Sequence, residues 1–230
     1  MAYIPSCEEE ALFLKNFDPG KYQNPAVAAD TALFAFYKDE IKILLIRRGG
    51  YPYKGHWALP GGFVNIDEDI RTSAARELFE ETGISDMYLE QAFVWSRPDR
   101  DPRQRVITVS YIALADFSKI CARAGDDAAQ AEWFTLSGYN KTEASGTVRI
   151  RYLLSGPEAL QPIVAYPAGR IQEIACIKSS GLAFDHAESI AYSFECMKQR
   201  IKNGGFLPFA FEDEHLQSCA RNAILNSAFD

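Results

Sequence analysis

The 230-residue chain is poor in cysteine, histidine and net positive charge, and it has no long apolar run. Its five cysteines (Cys7, Cys121, Cys176, Cys196 and Cys219) lie far apart, form no C-x-x-C and are odd in number. That excludes a full disulfide framework and a structural zinc cluster on these spacings. Buried free thiols in a reducing compartment are the expectation. No apolar stretch approaches the roughly 20 residues that span a bilayer. The opening MAYIPSCEEE is acidic and has no basic region followed by an apolar one, so it does not read as a secretory signal. A soluble, cytoplasmic protein is expected. Lys and Arg number 24 against 31 Asp and Glu, a formal charge of −7. Such a balance gives no general attraction to phosphate backbones or anionic membranes.

What is present is ordinary globular chemistry. Apolar residues make up 47% and charged residues 24%, which excludes disordered and low-complexity classes. At about 150 residues per domain, the length allows one large domain, or one domain with an appendage. Residues 1–25 read as an N-terminal arm with a short helix near Glu8–Lys15. Thr31–Tyr37 and Ile41–Arg48 are β-rich runs split by Lys38-Asp39-Glu40, the pattern of a hairpin. Ile-Lys-Ile-Leu-Leu-Ile is almost continuously apolar, which suits a strand covered on both faces. A glycine- and tyrosine-containing loop at 49–56 precedes short strands at Trp57–Leu59 and Phe63–Val64, interrupted by Pro60-Gly61-Gly62. Asp69 to Thr82 reads as a helix with Asp67 as N-cap and Gly83 as C-terminal stop. Strands follow at Tyr88–Ser96 and Val106–Leu114. Residues 137–180 read as a β-rich insertion with strands at Thr147–Leu154, Pro162–Tyr166 and Ile171–Lys178. From Asp185, the buried stripe Ala187, Ile190, Ala191, Phe194, Met197 and Ile201 predicts a long amphipathic helix. A last helix is expected at Glu214–Leu225.

The stretch GFVNIDEDIRTSAARELFEETGI, Gly62 to Ile84, carries the chemistry. At 100° per residue Glu77, Glu80 and Glu81 share about a third of the helix circumference. Ala74, Ala75, Leu78 and Phe79 would face the core. Three like charges on one strip weaken a helix unless a cation neutralises them. A hard divalent cation such as Mg²⁺ or Mn²⁺ accepts carboxylate oxygens. Arg76 lies beside the strip and can pair with a carboxylate. Pro60-Gly61-Gly62 brings close-approaching backbone to the same place and can offer a carbonyl.

These residues resemble the Nudix box, G-x5-E-x7-R-E-U-x-E-E-x-G-U with U aliphatic. The match is complete at Gly62, Glu68, Arg76, Glu77, Leu78, Glu80, Glu81, Gly83 and Ile84. The resemblance implies an α/β/α sandwich with a mixed sheet and hydrolysis of a nucleoside diphosphate linked to another moiety. It implies that Glu77, Glu80 and Glu81, with the Gly61 carbonyl, hold Mg²⁺ or Mn²⁺. Glu80, Glu81 and Arg76 would then be catalytic, and Glu68 would support the helix start. The ions would neutralise the pyrophosphate and activate a water for in-line attack.

The flanks narrow the resemblance. Arg47-Arg48, the run Pro52–Val64 and Arg97–Arg103 look like ADP-ribose pyrophosphatase-type members. Gly181–Ala187 resembles the junction that follows the Nudix domain in the NrtR-like group, where an ADP-ribose-sensing domain is joined to a DNA-binding winged helix. The substrate-binding residues this implies are Arg48, Arg100 and Arg103. Tyr51, Tyr53 and Trp57 read as packing aromatics, with stacking on a base as the alternative, and His56 and His186 read as structural. The implied organisation is an arm (1–25), a Nudix domain (26–184) and a helical C-terminal segment (185–230) with the look of a truncated winged helix. The tail 206–230 has one Arg, no Lys and four acids, so a nucleic-acid partner is not expected. ADP-ribose, cleaved to AMP and ribose 5-phosphate, is the implied substrate, and a homodimer the implied assembly. The alternative is an ADP-ribose-sensing regulator with little hydrolysis.

Overall fold

The computed structural model describes residues 3–120 and 128–226; Cys121 lies outside them. A helix α1 (Glu8–Asn16) and a 3-10 turn (Pro19–Lys21) lead into strands β1 (Ala26–Tyr37) and β2 (Glu40–Arg48). Lys38 and Asp39 join these strands with φ of +47° and +65°. Two left-handed residues are what a type I′ hairpin turn needs to match strand twist. Then come β3 (Trp57–Ala58), β4 (Gly61–Phe63), α2 (Ile70–Thr82), β5 (Glu90–Trp95) and β6 (Val106–Asp116). The second half contains β7 (Ala128–Ala144), β8 (Thr147–Ser155), β9 (Ala159–Leu160), β10 (Ile163–Pro167) and β11 (Ala175–Lys178). It closes with α3 (His186–Lys202), α4 (Leu207–Ala210) and α5 (Glu214–Leu225).

The strands make one sheet in the order β11-β10-β8-β7-β2-β1-β6-β5, with β3 on β2, β4 on β1 and β9 on β8. β1 and β6 run parallel from Ala26↔Val106 to Phe36↔Asp116, and the remaining strand pairs are antiparallel. The sheet is therefore mixed, as expected. Alternation along β1 sorts the two faces. Ala29 and Leu33 meet Ala74 and Leu78 of α2. Ala32, Phe34 and Phe36 meet Ala187, Ile190, Phe194 and Met197 of α3. Helices cover both faces, which gives the α/β/α layering.

The structure extends or corrects several sequence expectations. β1 extends the Thr31–Tyr37 run back to Ala26, where the sequence already turns strand-like, and β4 and β6 both pair with this first half. β7, unforeseen at 128–136, pairs with β2 from Ala128 to Leu136 and with β8 from Thr135 to Ala144, with an irregularity in the second pairing between Ser137 and Asn140. Residues 137–180 thus continue the same sheet. Ile171–Lys178 divides into a 3-10 turn (Ile171–Glu173) and β11. Asp69, not Asp67, caps α2, its side chain accepting from the Arg71 amide at 2.9 Å. Ala75 and Phe79 are exposed, Phe79 by 54%. The core-facing line of α2 runs through Ala74, Leu78 and Glu81 instead, at the i, i+4, i+7 spacing of one helix edge. Cys7 and Cys176 are exposed and Cys196 and Cys219 half-buried, so these thiols are free but not buried.

Candidate active site

Gly83, at φ +73°, stops α2 with its amide on the Phe79 carbonyl. The helix then lies against β4, where two glycines permit the approach. A Cβ on Gly61 would strike the Ala29 carbonyl and the Asp30 side chain. A Cβ on Gly62 would lie 2.5 Å from the Glu77 carboxylate. Both distances are below any real contact, so the carboxylates reach the loop only because neither residue has a side chain.

Glu81 is 9% exposed, and one oxygen accepts the Gly61 amide at 2.8 Å. Burial pushes its carboxyl up to about 8, with Glu77 and Asp30 adding repulsion. Among the described residues no Lys, Arg or His lies within ion-pair distance of Glu81. Glu77 is also raised, first by burial, although Arg76 opposes the shift. Arg76 is the organiser of the strip. Its guanidinium donates to Glu68 (2.6 Å), Glu77 (2.7 Å), Glu80 (2.8 Å) and the Phe63 carbonyl (3.1 Å). Arg76 in turn holds Glu68 down at about 2. Glu68 also accepts the Asn65 amide at 3.0 Å, so it ties the β4–α2 loop to the helix. Glu80 sits at the exposed end of this network, its side chain 53% accessible.

Among the described residues no three His, Cys, Asp or Glu side chains form a preformed metal cage. The donors nevertheless fit a hard divalent cation. Glu77 and Glu81 are desolvated carboxylates that repel each other, and Glu81 lacks a counter-cation. Mg²⁺ is commonly held by one or two carboxylates, with water and substrate phosphate completing its shell. A cavity of about 450 Å³ opens on both, bounded by Arg48, Gly49, Gly50, Gly61, Gly62, Phe63 and Asn65.

A second cavity of about 140 Å³ adjoins the first and shares Arg48, Gly61, Gly62 and Phe63 with it. It lies on the α3 side of the sheet. Its walls include Asp30, Arg100, Asp101, Arg103, Phe184 and His186. The three arginines expected to bind substrate behave differently here. Arg48 spends only its Nε, on the Pro52 carbonyl at 2.9 Å, and lies 4.9 Å from the Phe184 ring centre. Arg103 pairs with Asp101 at 2.7 Å, stays 41% accessible and lies over Phe63 and Phe184. Arg100 is held from within the chain. It donates twice to Asp185 (2.8 and 2.6 Å) and once to Thr108 (2.6 Å), and its side chain is 5% accessible. Three of its five N–H donors are spent inside the chain, one on each nitrogen, which holds the head rigidly at the wall of the cavity with one N–H left on each terminal nitrogen. Trp57 is core, as expected, donating to Glu158 at 2.6 Å. Tyr51 is 85% exposed.

Three residues of the site had no functional reading in the sequence. Asp30 is the single acid inside the buried run of β1, and that interruption was its available signal. Burial raises it to about 7. His186, read as structural, accepts the Leu59 amide on Nδ1 at 2.8 Å, and burial holds it down at about 4, hence neutral. Phe184 has φ +46°. Both of its flanks fix it there. Trp57 N–H bonds the Gly181 carbonyl at 3.0 Å and Ala183 N–H the Trp57 carbonyl at 2.8 Å. On the other side, Asp185 and His186 are held by Arg100 and Leu59. Strained backbone persists where neighbours over-determine it, often at functional sites.

Comparison with known proteins agrees with this geometry. The chain is 40% identical over 129 residues to a protein from Acinetobacter baylyi named ADPR responsive transcriptional repressor NtrR, covering 55% of this chain and 51% of that one. The chain thus spans about half the length of that relative. It is 42% identical over 120 residues to an ADP-ribose pyrophosphatase from Methanocaldococcus jannaschii, covering 52% of this chain and 68% of that one. A MutT/nudix family protein from Enterococcus faecalis superposes with a TM-score of 0.75 at 30% identity, over 98% of this chain and 83% of that one. The NUDIX domain pattern matches residues 27–152, and the chain belongs to the Nudix family.

Proposed function

We propose that this chain is a divalent-cation-dependent pyrophosphohydrolase acting on a nucleoside diphosphate linked to another moiety. ADP-ribose is the substrate best supported, giving AMP and ribose 5-phosphate. The observation that carries the reading is the pair of desolvated carboxylates, Glu77 and Glu81, facing a cavity that arginine also lines. The similarity to the Methanocaldococcus enzyme supports it.

Glu77, Glu81 and the Gly61 carbonyl are the groups that would hold Mg²⁺ or Mn²⁺, with Glu80 able to join if it leaves Arg76. When bound, the cation supplies charge neutralisation at the diphosphate and a more acidic water. The chain's own residues do the positioning. Arg76 fixes the carboxylate rotamers through three ion pairs. Gly61 N–H orients Glu81. The free terminal nitrogens of Arg48, and Arg103 at the cavity mouth, are placed to bind phosphate oxygens. Asp185 and Thr108 lock Arg100, which keeps the loop 97–105 against the cavity.

The boundaries 1–25, 26–184 and 185–230 remain our division of the chain. No helix among the described residues is long and apolar enough to cross a membrane, and a cytoplasmic location is the proposal that accompanies this. A homodimer is supported by α1, which buries no residue and leaves Leu12, Phe13 and Leu14 exposed. Light scattering tests it. The similarity to the Acinetobacter repressor favours one second reading, an ADP-ribose-responsive regulator. The acidic balance of the chain counsels against direct DNA binding.

The test is a product screen with Mg²⁺ or Mn²⁺ on ADP-ribose, NADH, diadenosine polyphosphates, nucleotide sugars and nucleoside triphosphates. ADP-ribose turning over well above the rest is the expected result. No turnover of any compound, with ADP-ribose binding by calorimetry and a promoter-DNA shift at low salt, moves the conclusion to the regulator.

A further inference from the structure

Beside the carboxylates lies a buried polar pair with unused capacity. Asp30 is 9% exposed, and among the described residues its carboxyl accepts no hydrogen bond. Its Oδ2 lies 3.9 Å from His186 Nε2, too far for a direct bond. Because Nδ1 of His186 accepts the Leu59 amide, the neutral ring carries its hydrogen on Nε2. That donor has no acceptor among the described residues. Both residues are largely withdrawn from bulk water and line the same cavity, so a group entering it that serves both makes two hydrogen bonds at once. One atom that donates and accepts satisfies the gap, and a hydroxyl is such an atom.

The surrounding space sets the size of what brings it. The cavity of about 140 Å³ is far below the roughly 300–1,000 Å³ of a site that encloses a whole drug-sized ligand. It has room for a single ring. Phe63 and Phe184 give it apolar faces, and Asp30, His186 and the unspent nitrogens of Arg48 give it polar ones. It shares Arg48, Gly61, Gly62 and Phe63 with the larger cavity that holds Glu77 and Glu81. Its occupant is therefore joined directly to the diphosphate. A nucleoside ribose seated here would have to place its base outside this volume, whereas a terminal sugar ring fits within it.

We propose that Asp30 and His186 form the subsite for the terminal sugar of the substrate, with one sugar hydroxyl donating to Asp30 and accepting from His186 Nε2. The inference rests on the hydrolase reading above and assigns its specificity. Phe184 is the wall on which the sugar ring lies, and its fixed backbone keeps that wall in place. The subsite selects a cyclic polyol over an alkyl group on the distal phosphate. A group that leaves Asp30 and His186 unmatched forfeits their hydrogen bonds and keeps the desolvation cost.

The experiment compares ADP-ribose with the ethyl ester of ADP, which has the same nucleotide and diphosphate but no terminal sugar. Binding of both is measured by calorimetry in EDTA, and hydrolysis of both with Mg²⁺ or Mn²⁺. The wild-type protein is expected to prefer ADP-ribose at least tenfold in Kd and in kcat/KM. Asp30→Asn and His186→Asn each retain an acceptor or donor of similar shape, and in the second the introduced side-chain oxygen still serves the Leu59 amide. Each is expected to cut that preference at least fivefold, mainly through KM. Equal binding and turnover of the two compounds by the wild-type protein overturns the inference, whether or not the variants fold. So does a loss in the variants that is equal for both compounds, since it places Asp30 and His186 in general machinery. Preferential binding of ADP-ribose without hydrolysis of either compound supports the subsite and overturns the hydrolase reading alone.

Discussion

Replacing Glu81 with Gln should stabilise the metal-free protein while abolishing its activity. The carboxyl of Glu81 lies at about 8 in the folded chain against 4.5 when free, because burial disfavours its charge. The folded form thus holds its proton more tightly than the unfolded form. With a raised folded value, stability is full below the unfolded value and is lost as pH rises toward the folded one. At pH 7 the cost corresponds to the interval from 4.5 to 7, on the order of 3 kcal/mol at 1.36 kcal/mol per unit. Gln is neutral throughout and still offers an oxygen to the Gly61 amide. In EDTA at pH 7 the variant should therefore exceed the wild type by about 1–3 kcal/mol in urea unfolding. At pH 5 the advantage should shrink to about 1 kcal/mol or less. Mg²⁺ or Mn²⁺ should stabilise the wild type and leave the variant unchanged. A wild type as stable as the variant at pH 7 in EDTA would refute the reasoning, since Glu81 would then carry its charge at no cost.

Arg76→Ala removes the shared partner of Glu68, Glu77 and Glu80. It should cost about 2–4 kcal/mol in urea unfolding, and Arg76→Lys should not restore it, because one ammonium cannot span three carboxylates. A loss under about 0.5 kcal/mol contradicts the network. Gly61→Ala drives a methyl into the Ala29 carbonyl and Asp30, and should cost about 2 kcal/mol or more with a matching fall in Tm. An unchanged Tm means that β4 can retreat from β1. Arg100→Ala removes both hydrogen bonds to Asp185, whose side chain is 3% accessible and keeps only Arg97, at 3.9 Å, among the described residues, and should cost about 2–4 kcal/mol. A surface-like loss below about 1 kcal/mol would return Arg100 to the pool of substrate-binding groups.

The local features of the site were legible in the sequence, and its long-range partners were not. The carboxylate strip, the capping glycine Gly83 and the stripe of α3 follow from spacing within one helix. Glu77, Glu80 and Glu81 do share a side of α2, yet they differ in environment: Glu81 faces inward and Glu80 outward. Spacing alone does not separate them, because burial depends on what packs against the helix. Asp185 read as the start of α3. Its side chain caps nothing and instead neutralises Arg100, 85 residues away. His186 meets the Leu59 amide across 127 residues. Such pairings are set by the parallel β1–β6 pairing and by α3 crossing the sheet, which periodicity does not encode. β7 escaped notice because its 17 residues serve two partners, β2 along the first part and β8 from Thr135 onward, with an irregularity in the second pairing. Asp30 was the one missed residue with a visible sign, a charge set in strand sequence that is otherwise buried.

The central claim is that the Glu77–Glu81 strip loads a divalent cation to split a diphosphate. Its most direct test is to resolve the products of ADP-ribose incubated with the wild type and with Glu81→Gln, each with Mn²⁺ or Mg²⁺ and with EDTA. The account predicts AMP and ribose 5-phosphate in equal amounts from the wild type with cation, none in EDTA, and about a hundredfold or greater loss in the variant. Turnover that persists in EDTA, or that survives the loss of the Glu81 carboxylate, would contradict it.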